Sequence, residues 1–297
     1  MLLGLEAAVE SRRKERRSSK RGIARMPPAG DLIWFAAALV GAGGVAGMLA
    51  GLFGIGGGAI FVPVFYQVFG LLHVDDAVRM HVSVGTSLAI IVPTSIRSFM
   101  AHRKRGAVDQ ELLRSWILAV PLGVLSASLV AALVSSEGLR AIFALIAILV
   151  GLRMLLNRQH WRLSGDVPPN PVRAAVGWLI GLLSGLMGIG GGVLNNTFMT
   201  LYGRPVHQAV ATSAGVGVLI AVPGLFGYIW AGWGAAGLPP FSTGYVNWVA
   251  AAMIVPVTLL VAPVGVRFAH ALNKRQLEIG FGCFMLSVAA RFIYSLS

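Results

Sequence analysis

The chain has 297 residues, of which 56% are hydrophobic and only 12% are charged, and its formal net charge is +13. An ordinary soluble protein carries about 25% charged residues, so this composition indicates an integral membrane protein. The basic residues lie in a leader and between apolar runs, without interleaved aromatic residues, which argues against nucleic-acid binding. The single cysteine, Cys283, excludes an intrachain disulfide.

Residues 1–30 form a basic leader that contains the run SRRKERRSSKRGIAR. Ser11-Arg12-Arg13 is similar to the start of a twin-arginine export signal, but Lys14 and Glu15 do not continue that pattern. Translation from Met26 is an alternative that would remove most of the leader.

Several segments after the leader are almost free of charge, and some approach the ~20 residues that cross about 30 Å of hydrocarbon as a helix. A soluble helical protein would show polar stripes at helical spacing, and these segments lack them. We therefore predict an all-α polytopic protein that crosses the cell inner membrane several times. The segments are Leu32–Gly51, Val82–Met100, Ile117–Val134, Leu139–Leu152, Val246–Val266 and Ile279–Ile293.

A glycine-rich motif occurs twice, as GLFGIGGG from Gly51 and as GLMGIGGG from Gly185. Each copy follows an apolar segment and precedes a shorter one, and a Thr-Ser segment comes next: SVGTS at 83–87 and AVATS at 209–213. The chain therefore contains an internal duplication. We predict a first transmembrane repeat over 31–156, a cytoplasmic linker over 157–173 and a second transmembrane repeat over 174–297.

The charges of the loops predict that the two repeats have opposite orientations. The loop AHRKRGAV at 101–108 is strongly basic and therefore cytoplasmic, whereas the equivalent loop after Gly232 is uncharged and therefore external. An inverted-topology repeat explains this difference, and it requires an odd number of crossings per half. We favour about five apolar segments in each half, some short or broken, with 8–10 transmembrane segments in all. Four plus four, with each glycine motif interrupting one crossing, is the alternative; it fits the basic leader better.

Glycine disfavours helix, so the motifs predict two helix breaks inside the membrane. The short helix after each break would direct its N-terminal amides and positive dipole end into the break, which makes an anion site without charged side chains. A side chain at Gly57 or Gly191 is then expected to block the anion without preventing insertion. The candidate ligands are Gly56, Gly57, Gly58, Gly190, Gly191 and Gly192.

The glycines are also compatible with two different roles. Close helix packing of the Gly-x-x-x-Gly kind suits Gly43, Gly47 and Gly51, and equally Gly177, Gly181 and Gly185. The letters GIGGGA also satisfy a dinucleotide-binding fingerprint, but they follow an apolar span rather than a strand.

Polar residues inside the apolar segments are hydroxyls and amides, because all eleven carboxylates lie in the leader, in loops or at segment ends. A cation carrier usually has an intramembrane acid. We expect polar ligands among Thr86, Ser87, Asn195, Asn196, Thr197, Thr212 and Ser213, although each could simply bond to a neighbouring helix. Arg97 either extends toward the headgroups or attracts the substrate.

At these residues the sequence resembles the TauE/SafE family of sulfite-exporter-type membrane transporters. The resemblance rests on the doubled glycine motif, on VGTSLAIIVPTSIRSFMAHRKRGAVD at 84–109 and on the repeat layout. It implies a secondary transporter that moves sulfite, sulfoacetate or related organosulfonates by alternating access. The composition alone supports only the prediction that the substrate is a small anion.

We expect no enzyme activity, cofactor, metal or nucleic-acid partner; the expected partners are the anion and the lipid bilayer. An anion channel is the alternative function, and a membrane-embedded enzyme is disfavoured because neither H-E-x-x-H nor G-x-S-x-G occurs. The second half carries GVLNNTFM where the first carries GAIFVPVF, so the site is expected to be asymmetric.

Overall fold

Apolar helices dominate the computed structural model, which describes residues 39–41, 43–49, 58–156, 166–270 and 273–296. A two-stranded antiparallel hairpin, β1 (Ser242–Thr243) and β2 (Val246–Asn247), lies directly before the helix that begins at Trp248. The helices are α1 (Leu39–Leu49), α2 (Gly58–Leu71), α3 (Asp76–Lys104), α4 (Gln110–Ser115), α5 (Ala119–Leu133), α6 (Ser136–Leu156), α7 (Val172–Met187), α8 (Gly192–Leu201), α9 (Val206–Ala231), α10 (Trp248–His270) and α11 (Lys274–Tyr294).

Four helices, α3, α6, α9 and α11, are long and apolar enough to cross a membrane, and α1, α2, α5, α7 and α10 contain shorter apolar stretches. Large apolar side chains such as Leu129 and Leu145 are exposed on the outer surface, where lipid would cover them. The protein is therefore an all-α polytopic membrane protein, which confirms the fold class predicted from composition. The predicted leader, residues 1–30, lies outside the described residues.

The bundle has two ends, which hydrogen bonds and ion pairs identify. At the basic end, where α3 finishes, Arg204 pairs with Asp109 at 3.8 Å and Arg173 pairs with Glu111 at 3.4 Å. At the Asp75 end, where α3 starts, Gly237 packs against the side chain of Asp75. Since 29 helical residues rise about 43 Å, the two ends are a membrane thickness apart.

Equivalent helices of the two sequence repeats run antiparallel. α3 and α9 pack together so that Gly224 meets Leu88 while Gly217 meets Ser95. α6 and α11 do the same: the Arg140 Nη1 atom donates to the Ser295 carbonyl oxygen over 3.1 Å at one end of the pair. At the other end, Arg275 Nη2 donates to the carbonyl oxygen of Leu155 over 2.6 Å.

The second glycine motif joins two helices that enter and leave at the same end. α7 starts near Arg173, whose carbonyl oxygen accepts from Trp116 Nε1 over 2.8 Å. It ends at Met187, and α8 then returns to the basic end, where the Phe198 ring packs 5.4 Å from the Trp116 ring. Helices α7 and α8 therefore form a re-entrant hairpin, which we call the second hairpin, rather than one interrupted crossing.

Helices α1 and α2, which we call the first hairpin, run in opposite directions, and the residues between them, 50–57, lie outside the described residues. α1 runs beside α10 in the same direction, with Gly43 against Ile254 and Gly47 against Thr258. α2 ends at Leu71, just before the Asp75 end. Among the described residues, α3, α5 and α6 follow the first hairpin, and α9, α10 and α11 follow the second. An inverted repeat of about five segments per half stays a prediction.

The small-residue stripes pack as predicted. A Cβ atom on Gly47 would lie 3.0 Å from the Thr258 Cα atom, and one on Gly185 would lie 2.7 Å from the Ala127 Cβ atom. Gly181 faces the backbone of Val120 in α5, and Gly177 faces the ring of Trp116 just before α5. These glycines permit close helix contact, and the packing interpretation is confirmed for them. Gly51 lies outside the described residues.

Candidate anion site at the hairpin tips

The predicted helix break is present in the second hairpin. Gly188 ends α7 with φ +64° and Gly191 precedes α8 with φ +69°, both in the left-handed region that side chains rarely adopt. No side chain caps the first turn of α8, and Gly191, Gly192 and Val193 are buried. The first amides of a helix have no partner within it, so buried donors face the break.

The start of α2 touches this break. A Cβ atom on Gly58 would lie 2.6 Å from the Ile189 Cα atom and 2.8 Å from the Gly188 carbonyl oxygen. The Ser87 hydroxyl of α3 donates to the same carbonyl oxygen over 2.8 Å. The structure therefore brings Gly58, Ser87 and the second glycine motif together at the tips of the hairpins. Gly56 and Gly57 lie outside the described residues.

Apolar side chains fill the space beside the break in this conformation. A Cβ atom on Gly191 would lie 2.5 Å from Ile220 Cδ1 and 3.2 Å from Val216 Cγ1, and its φ is positive. Valine at Gly191 would therefore strain the fold. The sequence predicts that a side chain there blocks only the anion, but a loss of transport in this variant could equally come from disturbed packing. Gly190 has no positive φ, and a Cβ there would lie 3.1 Å from Ile91 Cγ2.

Asn195, Asn196 and Ser213 form a polar network on α8 and α9. Asn195 Nδ2 donates to Ser213 Oγ over 2.6 Å, and Ser213 Oγ donates to Asn196 Oδ1 over 2.6 Å. Asn195 is fully buried. Thr197 lies one residue further along, where its hydroxyl accepts from Arg153 of α6. The network pairs the Ser213 hydroxyl and the Asn195 amide N–H group, which would otherwise be costly in hydrocarbon, whereas the buried Asn195 Oδ1 atom has no hydrogen-bond partner among the described residues.

Thr86 and Thr212 each bond to the other half of the chain. The Thr86 hydroxyl accepts from the backbone N–H of Asn247 over 3.1 Å, and the Thr212 hydroxyl accepts from the backbone N–H of Asp109 over 2.9 Å. Asn247 and Asp109 in turn accept, through their side chains, from amides three residues later. The two threonines therefore tie each long central helix to the start of a helical segment in the opposite half.

We expect Thr86→Val and Thr212→Val each to lower the free energy of unfolding by about 1–3 kcal/mol, because a backbone donor loses its acceptor. Thr94→Val is the control, since its hydroxyl bonds only within α3, to the Ile90 carbonyl oxygen at 3.0 Å and to Ile91. Thermal unfolding in detergent measures all three variants. An equal loss in Thr94→Val would contradict a cross-repeat role for the other two.

Arg97 is not part of the cluster at the tips. Ser95 is buried close to Gly190 and Gly217, whereas Arg97, two residues later, is exposed. Two helical residues differ by about 200° in direction, so the side chains point to opposite sides of α3.

Two residues near the tips were not singled out from the sequence. Arg153 reaches α8 from α6, and nothing in the polar stretch 153–173 distinguished it from the other arginines there. Ser184 lies one turn before the break and is fully buried. A signal for Ser184 was available, because the aligned residue of the first motif is Ala50.

Comparison with known proteins gives consistent results. A membrane transporter protein of Haemophilus influenzae, named as probable, is 32% identical over 83% of this chain and 94% of its own length. A similarly named protein of Methanocaldococcus jannaschii is 28% identical over 81% of this chain and 89% of its own length. The probable membrane transporter protein YunE of Bacillus subtilis is 26% identical over 86% of this chain and 96% of its own length. No solved structure gives a significant match.

The family model described as sulfite exporter TauE/SafE matches residues 39–292, which is well over half of the chain. Both the family and the relatives are membrane transporters rather than enzymes. The resemblance found in the glycine motifs is thereby confirmed, and the chain belongs to the sulfite exporter TauE/SafE family.

Proposed function

We propose that this protein is a secondary transporter that moves small sulfur-containing anions, such as sulfite, sulfoacetate or related organosulfonates, across the cell inner membrane. The anion binds between the hairpin tips. The observation that carries the proposal is the uncapped, buried first turn of α8, which begins beside the first residue of α2. Two helix N-termini direct positive dipole ends to one place, which favours an anion.

The distribution of acids supports an anion over a cation. Within the described residues the carboxylates lie near the ends of the bundle: Asp75, Asp76, Asp109, Glu111, Glu137, Asp166 and Glu278. Hydroxyls and amides lie at the break and beside α8: Ser87 bonds to Gly188, and Ser213 of α9 bonds to Asn196. Such groups bind an anion without holding it by a full opposite charge, so the anion can also leave.

Alternating access is supported by the relation between the halves. Antiparallel packing of α3 with α9 and of α6 with α11 is the arrangement that an inverted repeat produces. We infer repeats over 31–156 and 174–297, joined by the linker 157–173. Rocking of one half against the other would expose the tips first to one end and then to the other.

The positive-inside rule assigns the basic end, with Lys104, Arg173 and Arg204, to the cytoplasm. Single cysteines at Lys104 and Ala236 should therefore be labelled by an impermeant maleimide from opposite faces, Lys104 only from the cytoplasm. Both positions are exposed. Ala236 is chosen over its neighbour Gly237 because Gly237 has a positive φ, at which a cysteine would be strained. The native Cys283 is exposed and must first be replaced by serine. Labelling of both from one face would contradict the inverted arrangement.

Counterflow in proteoliposomes tests the function itself. Vesicles loaded with unlabelled sulfite should accumulate labelled sulfite transiently, because a carrier couples the two movements. A channel would only equilibrate the labelled sulfite across the membrane, and its rate would show little saturation as the sulfite concentration rises. Absence of transport of sulfite and of organosulfonates alike would remove the proposed substrate class.

A further inference from the structure

The Ser184 hydroxyl is buried and has no hydrogen-bond partner within the described part of the chain. Both serines of the neighbouring helix α5 donate to a carbonyl oxygen of their own helix. Ser126 does so to Leu122 over 2.9 Å, and the buried Ser128 does so to Val124 over 3.1 Å. Leaving a buried hydroxyl unpaired costs free energy, so the unpaired hydroxyl of Ser184 needs a physical reason.

Ser184 faces the break. Its Oγ atom lies 3.6 Å from the position that a Cβ atom on Gly191 would occupy. Gly191 is the residue before α8, and the amides of the first turn of α8 are buried without a side-chain cap. An unpaired O–H donor and a set of unpaired N–H donors thus border the same space.

We propose that the Ser184 hydroxyl binds the transported oxyanion directly, at the break of the second hairpin. The proposal rests on the proposed function, because it names a ligand within that site. Several convergent donors suit a group that carries several oxygens on one sulfur, and both sulfite and a sulfonate head group provide one.

The asymmetry follows from the aligned motifs. GMLAGLFGIGGG at 47–58 and GLLSGLMGIGGG at 181–192 differ at the position of the hydroxyl, where Ala50 stands in the first and Ser184 in the second. A methyl group cannot donate, so position 50 of the first motif offers no equivalent hydroxyl ligand. Ile220 and Val216 border Gly191 and would have to move aside before an anion could enter.

Ser184→Ala separates this role from a structural one. Removal of an unpaired buried hydroxyl should leave the melting temperature of the ligand-free protein unchanged or raise it. The KM for sulfite transport should rise about tenfold or more, since one hydrogen bond to a charged ligand is lost. The rise in melting temperature that sulfite causes in the parent protein should be lost. Methanesulfonate, used in parallel, distinguishes a sulfonate head group from inorganic sulfite.

Ser128→Ala is the matched control, because Ser128 is equally buried but bonded within its helix; it should leave the KM unchanged. A Ser184→Ala variant with a lowered melting temperature and an unchanged KM would show a structural role and overturn the inference. If the parent protein transports neither anion, the proposed function fails first. If it transports them and Ser184→Ala does so with the parent KM, only the assignment of Ser184 fails.

Discussion

Gly181→Ala should unfold or strongly destabilise the protein, by about 3 kcal/mol, at the upper end of what overpacking usually costs. A Cβ atom on Gly181 would overlap the carbonyl oxygen of Val120 and lie 3.0 Å from its carbonyl carbon. These are backbone atoms of α5, so no side chain can rotate to make room. The helices would have to separate, and the second hairpin would lose its support. Purified yield and the melting temperature in detergent measure the effect.

Gly41→Ala is the matched control for that substitution. A Cβ atom on Gly41 would meet no heavy atom within 4 Å among the described residues. Alanine in a helix is favoured over glycine by roughly 0.5–1 kcal/mol, so this variant should be as stable as the parent protein or slightly more stable. A wild-type melting temperature for Gly181→Ala would mean that α5 and α7 are not in backbone contact.

Gly190→Ala should reduce sulfite transport more than tenfold while it changes the free energy of unfolding by less than about 1 kcal/mol. The new methyl group would lie at the tip of the second hairpin, beside Ile91 and Ser95 and two residues before the start of α8, where we expect it to hinder the approach of the proposed anion. Its nearest neighbour, Ile91 Cγ2 at 3.1 Å, belongs to a side chain that can give way, and φ at Gly190 is not positive. Uptake of labelled sulfite beside thermal unfolding separates the two quantities.

The double variant Gly190→Ala, Ile91→Ala distinguishes access to the amides from packing. Ile91→Ala removes the group against which the new methyl would press. If packing caused the loss of transport, the double variant should recover it relative to Ile91→Ala alone. We expect no recovery, because the methyl group would still occupy the tip of the second hairpin beside the start of α8. Full recovery of transport would show that Gly190 serves helix packing rather than access of the anion.

Much of the fold could be predicted because the membrane imposes simple requirements on sequence. The runs 117–134 and 139–152 coincide closely with α5 and α6, since a helix in lipid must be apolar along its length. The break at 188–191 was predictable from glycine chemistry. Its shape was not, because a broken crossing and a re-entrant hairpin contain the same residues and differ only in the direction of the second helix.

The candidate site was only partly predictable. Asn195 and Ser213 lie 18 residues apart, and their bond depends on how α8 folds back along α9. Thr86 and Thr212 were visible as equivalent residues, but each bonds to a residue more than 100 positions away in the other half. Ser184 resembled an ordinary helix serine, because the sequence does not show whether a hydroxyl bonds to its own helix.

The meeting of the two hairpins has an electrical consequence. Gly58 of α2 contacts Ile189 of the second hairpin, and under the proposed function the anion passes this contact as it crosses the membrane. Each elementary charge that crosses the membrane gains or loses about 2.3 kcal/mol per 100 mV. At 100 mV, a doubly charged oxyanion that leaves a cell with a negative interior would gain about 4.6 kcal/mol. This energy corresponds to a ratio of about three orders of magnitude between the outside and inside concentrations of the anion. Outward transport would then need no partner ion, whereas uptake would have to work against the same voltage.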